Sequence, residues 1–266
     1  MSKSVLLGPY VGDFKQEVLV FRPYMRYISY ISQEYEIFVS SHSNRSFLYD
    51  WVDDDNFLPI YEHISRNEVN QKGFIFQDIT KTEFNQITKH IRDRIPFSDI
   101  DIHTLPYVKN TNGVSYYQKI YSSFTFPDID IGESPDIVFI GDKSDQSSEV
   151  YSLLSDQFDV TVIGDMNNGL ETYNEILKTP NFSDNYLRMF NYISKAKMVV
   201  TNCSEWVLIC NSQQVPVFYC GADSSLFKND GILNFDNKKC TSICDMDSDT
   251  MVNMVKYSYN KMYGGV

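Results

Sequence analysis

Val5-Leu6-Leu7-Gly8-Pro9-Tyr10-Val11-Gly12-Asp13-Phe14-Lys15-Gln16-Glu17 holds a short apolar run, a turn with two glycines, and the opening of a helical pattern. That pattern continues through Val18-Leu19-Val20-Phe21-Arg22 toward Ile31, and Pro23 inside it predicts a kink or a restart near Arg22. A strand feeding a glycine turn that opens a helix lets backbone approach a ligand closely, with the N–H groups of the first helical turn aimed at it. Asp13 and Glu17 are four residues apart, which on a helix sets them on one face, one turn apart. Either acid alone reads as a dipole partner or cap. The pair, beside a glycine turn at the C-terminal end of a strand, points to a site.

Outward from this stretch, the first half continues with a predicted strand at 36–40. It ends in the polar loop Ser41-His42-Ser43-Asn44-Arg45, of the kind that carries ligand contacts in open α/β folds. His42 reads there either as a solvent-exposed loop histidine or as a contact residue. Acidic Asp53-Asp54-Asp55 marks a surface loop, followed by a short helix at 61–64, a strand at 73–76 and an amphipathic helix from Thr82 to Arg94. Pro127 to Pro135, with acidic residues and a glycine between the prolines, reads as a linker. The domains are therefore drawn at 1–132 and 133–266, with the last helix, 247–263, open to packing back on the first domain.

The second half has a cleaner rhythm. Strands are predicted at 136–141, 160–165, 198–201 and 216–221, alternating with helices at 149–158, 185–197, 204–212 and 247–263. Continuous apolar strands alternating with helices specify an α/β fold with a parallel, doubly wound sheet. The first half reads the same way less regularly. Two Rossmann-like domains of this kind face each other across a cleft lined by the loops at the C-terminal strand ends.

The 266 residues suit one large domain or two of about 130 residues each. No apolar run reaches the roughly 18 residues of a membrane span. Five cysteines, all in the second half, form no paired spacing and point to reduced thiols in a cytoplasmic setting, that of the host cell if the chain is viral. Net charge is −12, divided as −4 in residues 1–132 (13 basic, 17 acidic) and −8 in 133–266 (10 basic, 18 acidic). This disfavours unspecific nucleic-acid binding. Lys81, Lys89, His90, Arg92 and Arg94 form a local basic cluster in the first half, which is also what a solvated helix face looks like. The chain has no Walker loop, no Gly-x-Gly-x-x-Gly and no Gly-x-Ser-x-Gly elbow. Asp128-x-Asp130 lies in the linker rather than at a strand end, so neither a metal nor another cofactor is expected.

The segment Met198-Val199-Val200-Thr201-Asn202-Cys203-Ser204-Glu205 ends a strand at residues suited to N-capping and passes into a short helix whose N-terminal end suits a diphosphate. With Val215-Pro216-Val217 and Gly221 behind it, this segment resembles the nucleotide-binding half of the heptosyltransferase-like glycosyltransferases, which have the two-domain GT-B fold. Asn202 and Ser204 fall on that family's Asn and Ser. Glu205 stands where the family has glycine, and Leu208 where it has histidine. At the other end, Gly12-Asp13 occupies the place of the family's Gly-Asp, whose aspartate is its proposed general base. A wider set of phage-encoded GT-B-like proteins shows Gly-Glu-Phe-x-x-Glu-Leu, which is similar to Gly12-Asp13-Phe14-Lys15-Gln16-Glu17-Val18 here. Residues 46–130 fall outside the resemblance.

The resemblance implies a metal-independent, inverting glycosyltransferase using a nucleotide-sugar, with a UDP-sugar the favoured donor. Asp13 would be the base, with Glu17 as the alternative. The donor would be bound by Gly141, Lys143, Gly164, Asn202, Ser204, Glu205 and Gly221. On the acceptor side stand Gly12, His42, Arg45 and Arg92, and the acceptor is a hydroxylated base in phage DNA, a saccharide or a small molecule. A non-catalytic nucleotide-binding protein of the same fold, and a nucleotide-sugar epimerase, are the competing readings.

Overall fold

A computed structural model describes residues 3–11, 17–60, 81–104, 125–141, 144–164, 182–202, 206–207, 209–210, 213–221, 240–242 and 246–264. The chain forms two compact units, Met1–Pro127 and Asp128–Val266. The helix expected at 61–64 and the strand expected at 73–76 lie outside the described residues.

The first unit holds strands β1 (Ser4–Leu7), β2 (Glu36–Ser41), β3 (Phe57–Pro59) and β4 (Ile100–His103). They form one sheet in the order β3-β2-β1-β4 with every pairing parallel. Chain direction across the sheet therefore reverses its progression between β1 and β4, and crevices at such switch points take ligands in open α/β folds. One face packs Leu6, Phe38 and Leu58 against Ile87, Ile91 and Ile95 of helix α2 (Lys81–Asp93) and the turn after it. The predicted restart near Arg22 is present. Glu17–Phe21 is a single π turn, and helix α1 (Arg22–Ile31) follows with the proline in its first positions. Pro23 has no N–H to give to the turn before it, and the wider turn accommodates that missing bond.

β3 and β4 were not anticipated. β3 is three residues with no β-branched side chain and β4 is four residues interrupted by Asp101 and His103, so pairing with a buried neighbour makes a strand of each. Beyond β1 the chain is fixed on both sides. Gly8 N–H donates to the His103 carbonyl at 2.9 Å and Tyr10 N–H to the Ser40 carbonyl at 2.9 Å. Gly8 has φ +119°, and a Cβ there would lie 2.4 Å from the Ser40 carbonyl oxygen. Gly8→Ala should therefore destabilise the first unit by roughly 3 kcal/mol, through strain and forced displacement of β2. A urea midpoint unchanged from wild type would refute that.

The second unit holds β5 (Ile137–Gly141), β6 (Val160–Gly164), β7 (Met198–Thr201), β8 (Val217–Tyr219) and β9 (Cys240–Ser242), all parallel in the order β6-β5-β7-β8-β9. Its switch point is between β5 and β7. Helices α3 (Asp145–Ser155) and α5 (Ser248–Tyr263) pack Val150, Leu154, Met251, Val252 and Val255 onto Ile137, Phe139, Met198, Val200 and Phe218. Helix α4 (Phe182–Lys195) buries Met189, Phe190 and Ile193. α3 starts four residues before the predicted position. The polar run Ser144 to Ser148 masks the start, yet the Ser144 side chain accepts the Ser147 N–H and so caps the helix. α5 is capped in the same way by Asp247, which accepts the Thr250 N–H at 2.9 Å. Tyr259 and Lys197 both donate to Asp136, at 2.5 and 2.7 Å, which ties α5 to the start of β5.

The expected linker is not a loose tether. Asn191, buried on α4, accepts the Ile129 N–H at 3.1 Å, while Lys195 donates to the Ile129 carbonyl at 2.9 Å and pairs with Asp128 at 2.5 Å. Tyr192 reaches the Ile131 carbonyl, and Ile131 itself is buried. Gly132, at φ +78°, donates to Asp130 and turns the chain toward β5.

Candidate functional site

In the first unit the C-terminal ends of β1 and β2 converge on one carboxylate. Glu17 opens the π turn and is fully buried. Its Oε1 accepts from the hydroxyls of Ser41, at the end of β2, and Tyr49, at 2.5 Å. Its Oε2 accepts from Arg45 Nη1 at 2.6 Å. Arg45 and Tyr49 come from and just after a 3₁₀ helix, Ser43–Leu48, that occupies the stretch expected to be an open loop. Burial raises the Glu17 pKa, opposed by the Arg45 charge and by the hydrogen bonds from Ser41, Tyr49 and Arg45. Tyr49 is held well above the ordinary phenol value by burial and then by the Glu17 charge, so it remains a donor.

His42 is not the exposed loop histidine that its polar surroundings predicted. It is buried, and burial followed by the Arg45 charge lowers its pKa well below the ordinary value, which leaves a neutral imidazole at pH 7. The structure thus brings Glu17, His42 and Arg45 together. Arg92 is elsewhere, on the exposed face of α2 with Lys89 and His90. Gly12 and Asp13 lie outside the described residues.

Ser41 and Tyr49 were missed by sequence reading because no spacing rule links positions 24 and 32 residues from Glu17. Also missed was the layer beside them. Arg22, buried in the first turn of α1, donates through Nε to the Leu48 carbonyl at 2.5 Å and through Nη2 to Asp50 at 3.1 Å. Burial pulls its pKa down to about 10, opposed by Asp50 and assisted by Arg26. The signal available was Arg22 and Arg26 four apart, on one helix face.

In the second unit, the C-terminal ends of β5, β7 and β8 bring Gly141, Asn202 and Gly221 into one neighbourhood. Asn202 Nδ2 donates to Ser147 Oγ at 2.8 Å, and Ser144 Oγ donates to Ser147 Oγ at 3.0 Å. A Cβ on Gly141 would lie 3.4 Å from Ser147 Cβ, and one on Gly221 would lie 2.7 Å from the Asn202 carbonyl oxygen. This polar cluster sits at the β5–β7 switch point, with the N-terminus of α3 on one side. Ser144 and Ser147 were missed in the sequence, although a serine shortly after a strand-ending glycine is a favoured helix N-cap. Gly164 ends β6, next to β5. Lys143, Ser204 and Glu205 lie outside the described residues. Among the described residues no group of three or more His, Cys, Asp or Glu is arranged to hold a metal ion, and no helix is long and apolar enough to cross a membrane.

No protein-family model and no curated protein matches the chain. Solved structures do. The iron-containing dodecameric glycosyltransferase TibC from enterotoxigenic E. coli aligns with a TM-score of 0.50 at 12% identity, covering 98% of this chain and 77% of TibC. E. coli ADP-heptose LPS heptosyltransferase II aligns with a TM-score of 0.49 at 11% identity, covering 98% of this chain and 99% of the enzyme. The likeness to TibC is one of fold, and it agrees with two α/β units built on parallel sheets.

Proposed function

We propose that the chain is a glycosyltransferase that moves a sugar from a nucleotide-sugar donor held by the second unit to a hydroxyl of an acceptor held by the first. The observation that carries this is the polar cluster at the β5–β7 switch point. There, Asn202 and Ser147 offer side-chain polar atoms beside a capped helix N-terminus, a setting suited to a sugar diphosphate. The fold shared with TibC, a glycosyltransferase, supports a sugar-transfer reading, and a nucleotide-sugar is the donor class that the polar cluster suits. A UDP-sugar is the favoured donor, and Lys143 the cation nearest in sequence to the α3 cap.

Asp13 is assigned the base, and Glu17 a supporting role. Glu17 is fully buried and its two oxygens already accept from Ser41, Tyr49 and Arg45, which commits it to the interior of the unit rather than to an acceptor hydroxyl. Arg45 is likewise committed to Glu17, so a DNA acceptor would have to draw its phosphate contacts from the exposed Lys89 and Arg92 on α2. A saccharide or small-molecule acceptor makes no such demand. No metal is required, because diphosphate charge is met by N–H and hydroxyl donors, and transfer should therefore persist in EDTA.

Titration calorimetry against UDP, ADP, GDP and CMP tests the reading. One of them should bind, and at a hundred times its dissociation constant it should stabilise the protein by about 2.7 kcal/mol. Binding of none would sink it. Asn202→Ala should weaken that nucleotide about tenfold, or about 1.4 kcal/mol, with stability little changed. Free or isomerised sugar formed without an acceptor would replace transfer with epimerase chemistry.

A further inference from the structure

Arg22 and Arg26 both lie over the ring of Trp51, their guanidinium carbons 5.1 and 4.8 Å from its centroid. Like charges one helical turn apart repel, and Asp50 pairs with Arg22. Asp50 is fully used. Its Oδ1 pairs with Arg22, and its Oδ2 accepts both the N–H and the hydroxyl of Thr125, at 3.2 and 3.0 Å. Among the described residues Arg26 has no carboxylate partner; its contact is the face of Trp51, and the side chain is partly exposed. Trp51 adds a buried indole N–H that meets no acceptor. The patch thus presents a guanidinium fork and an indole N–H with no hydrogen-bond acceptor among the described residues, in a chain of net charge −12. Held over Trp51 and partly exposed, the Arg26 fork is placed to receive an anion from solvent.

From this arrangement we infer that Arg26, Trp51 and Arg22 form an oxyanion site on the first unit, taking a phosphate or carboxylate group of a small molecule. The guanidinium fork of Arg26 supplies paired donors to two oxygens of the anion. Arg22, locked by Leu48 and Asp50, supplies charge rather than a hydrogen bond, and Trp51 is the platform that keeps the Arg26 fork in place. The helix α1 that carries both arginines begins at the π turn of Glu17, so the site belongs to the same strand-end region as the Glu17 cluster. Resting on the transferase reading, the anion is a group of the acceptor.

The chain has two tryptophans, 51 and 206. In Trp206→Phe the remaining emission reports Trp51. Titration with inorganic phosphate, and separately with acetate, at constant ionic strength set by sodium chloride should give a saturable change for at least one of them. Arg26→Gln in the same background should weaken that binding tenfold or more. As Trp206 is itself buried, titration calorimetry of the wild-type chain and of Arg26→Gln with the same two anions provides a second reading. A change that does not saturate with either anion, or one equal in Arg26→Gln, overturns the site. Saturable binding lost in Arg26→Gln, in a protein that binds no nucleotide, would keep the anion site and discard the transferase.

Discussion

Glu17→Ala should unfold the first unit at a much lower denaturant concentration, losing about 3–5 kcal/mol. The substitution deletes the acceptor of three hydrogen bonds in a fully buried place. It also leaves the Arg45 guanidinium, itself buried, without its carboxylate. An uncompensated buried charge is the costly part, so Glu17→Ala with Arg45→Met should recover much of the loss. In scanning calorimetry the single variant should fall on the order of 10–20 °C. A loss under about 1 kcal/mol would show that the cluster is solvated. The pH dependence carries a second signature. Burial raises the folded pKa of Glu17 above its ordinary 4.5, so between 4.5 and the folded value the native state holds a proton that the unfolded state has released. The Glu17 contribution is therefore fully present below about pH 4.5, falls as pH rises through that window, and is constant above it. The stability difference between wild type and Glu17→Gln, followed by urea midpoints from pH 4 to 8, should narrow upward in the wild type's disfavour and then level.

Asp13→Asn should reduce turnover by about 10²–10⁴-fold, the usual weight of a general base, while nucleotide affinity stays within a few-fold. The separation follows from the division of labour. The proposed donor site lies at the β5–β7 switch point of the second unit, and Asp13 belongs to the segment between β1 and the π turn of the first. With Glu17 occupied by Ser41, Arg45 and Tyr49, no second carboxylate stands ready on that segment to replace it. Near-normal turnover in Asp13→Asn would overturn the assignment. Loss of nucleotide binding in parallel with turnover would move Asp13 to the donor instead.

Elements that repeat a local pattern were legible in the sequence. β5, β6 and β7 are continuous apolar runs, α2 and α4 show helical periodicity, and Pro23 announces the restart at Arg22. What escaped depends on partners distant in the chain. β9 is the three residues Cys240–Ser242, a strand only because β8 pairs with it. The burial of His42 depends on the 3₁₀ helix folding over Glu17, and the letters Ser-His-Ser-Asn-Arg read as solvent-facing loop. The site divides in the same way. Glu17, Arg45, Asn202 and the strand-end glycines were named from the sequence. Ser41, Tyr49, Ser147, Trp51 and Arg26 emerge only once the strand ends are set side by side.

The clamp of residues 128–132 onto α4 decides where the second unit can be cut free. Excised from Asp136, it would lose the backbone N–H that Asn191 accepts, the acid that pairs with Lys195 and the buried Ile131. Excised from Asp128, it keeps all three. A fragment 128–266 should therefore be more stable than 136–266, and protease cleavage after residue 132 should release a less stable product than cleavage at Pro127.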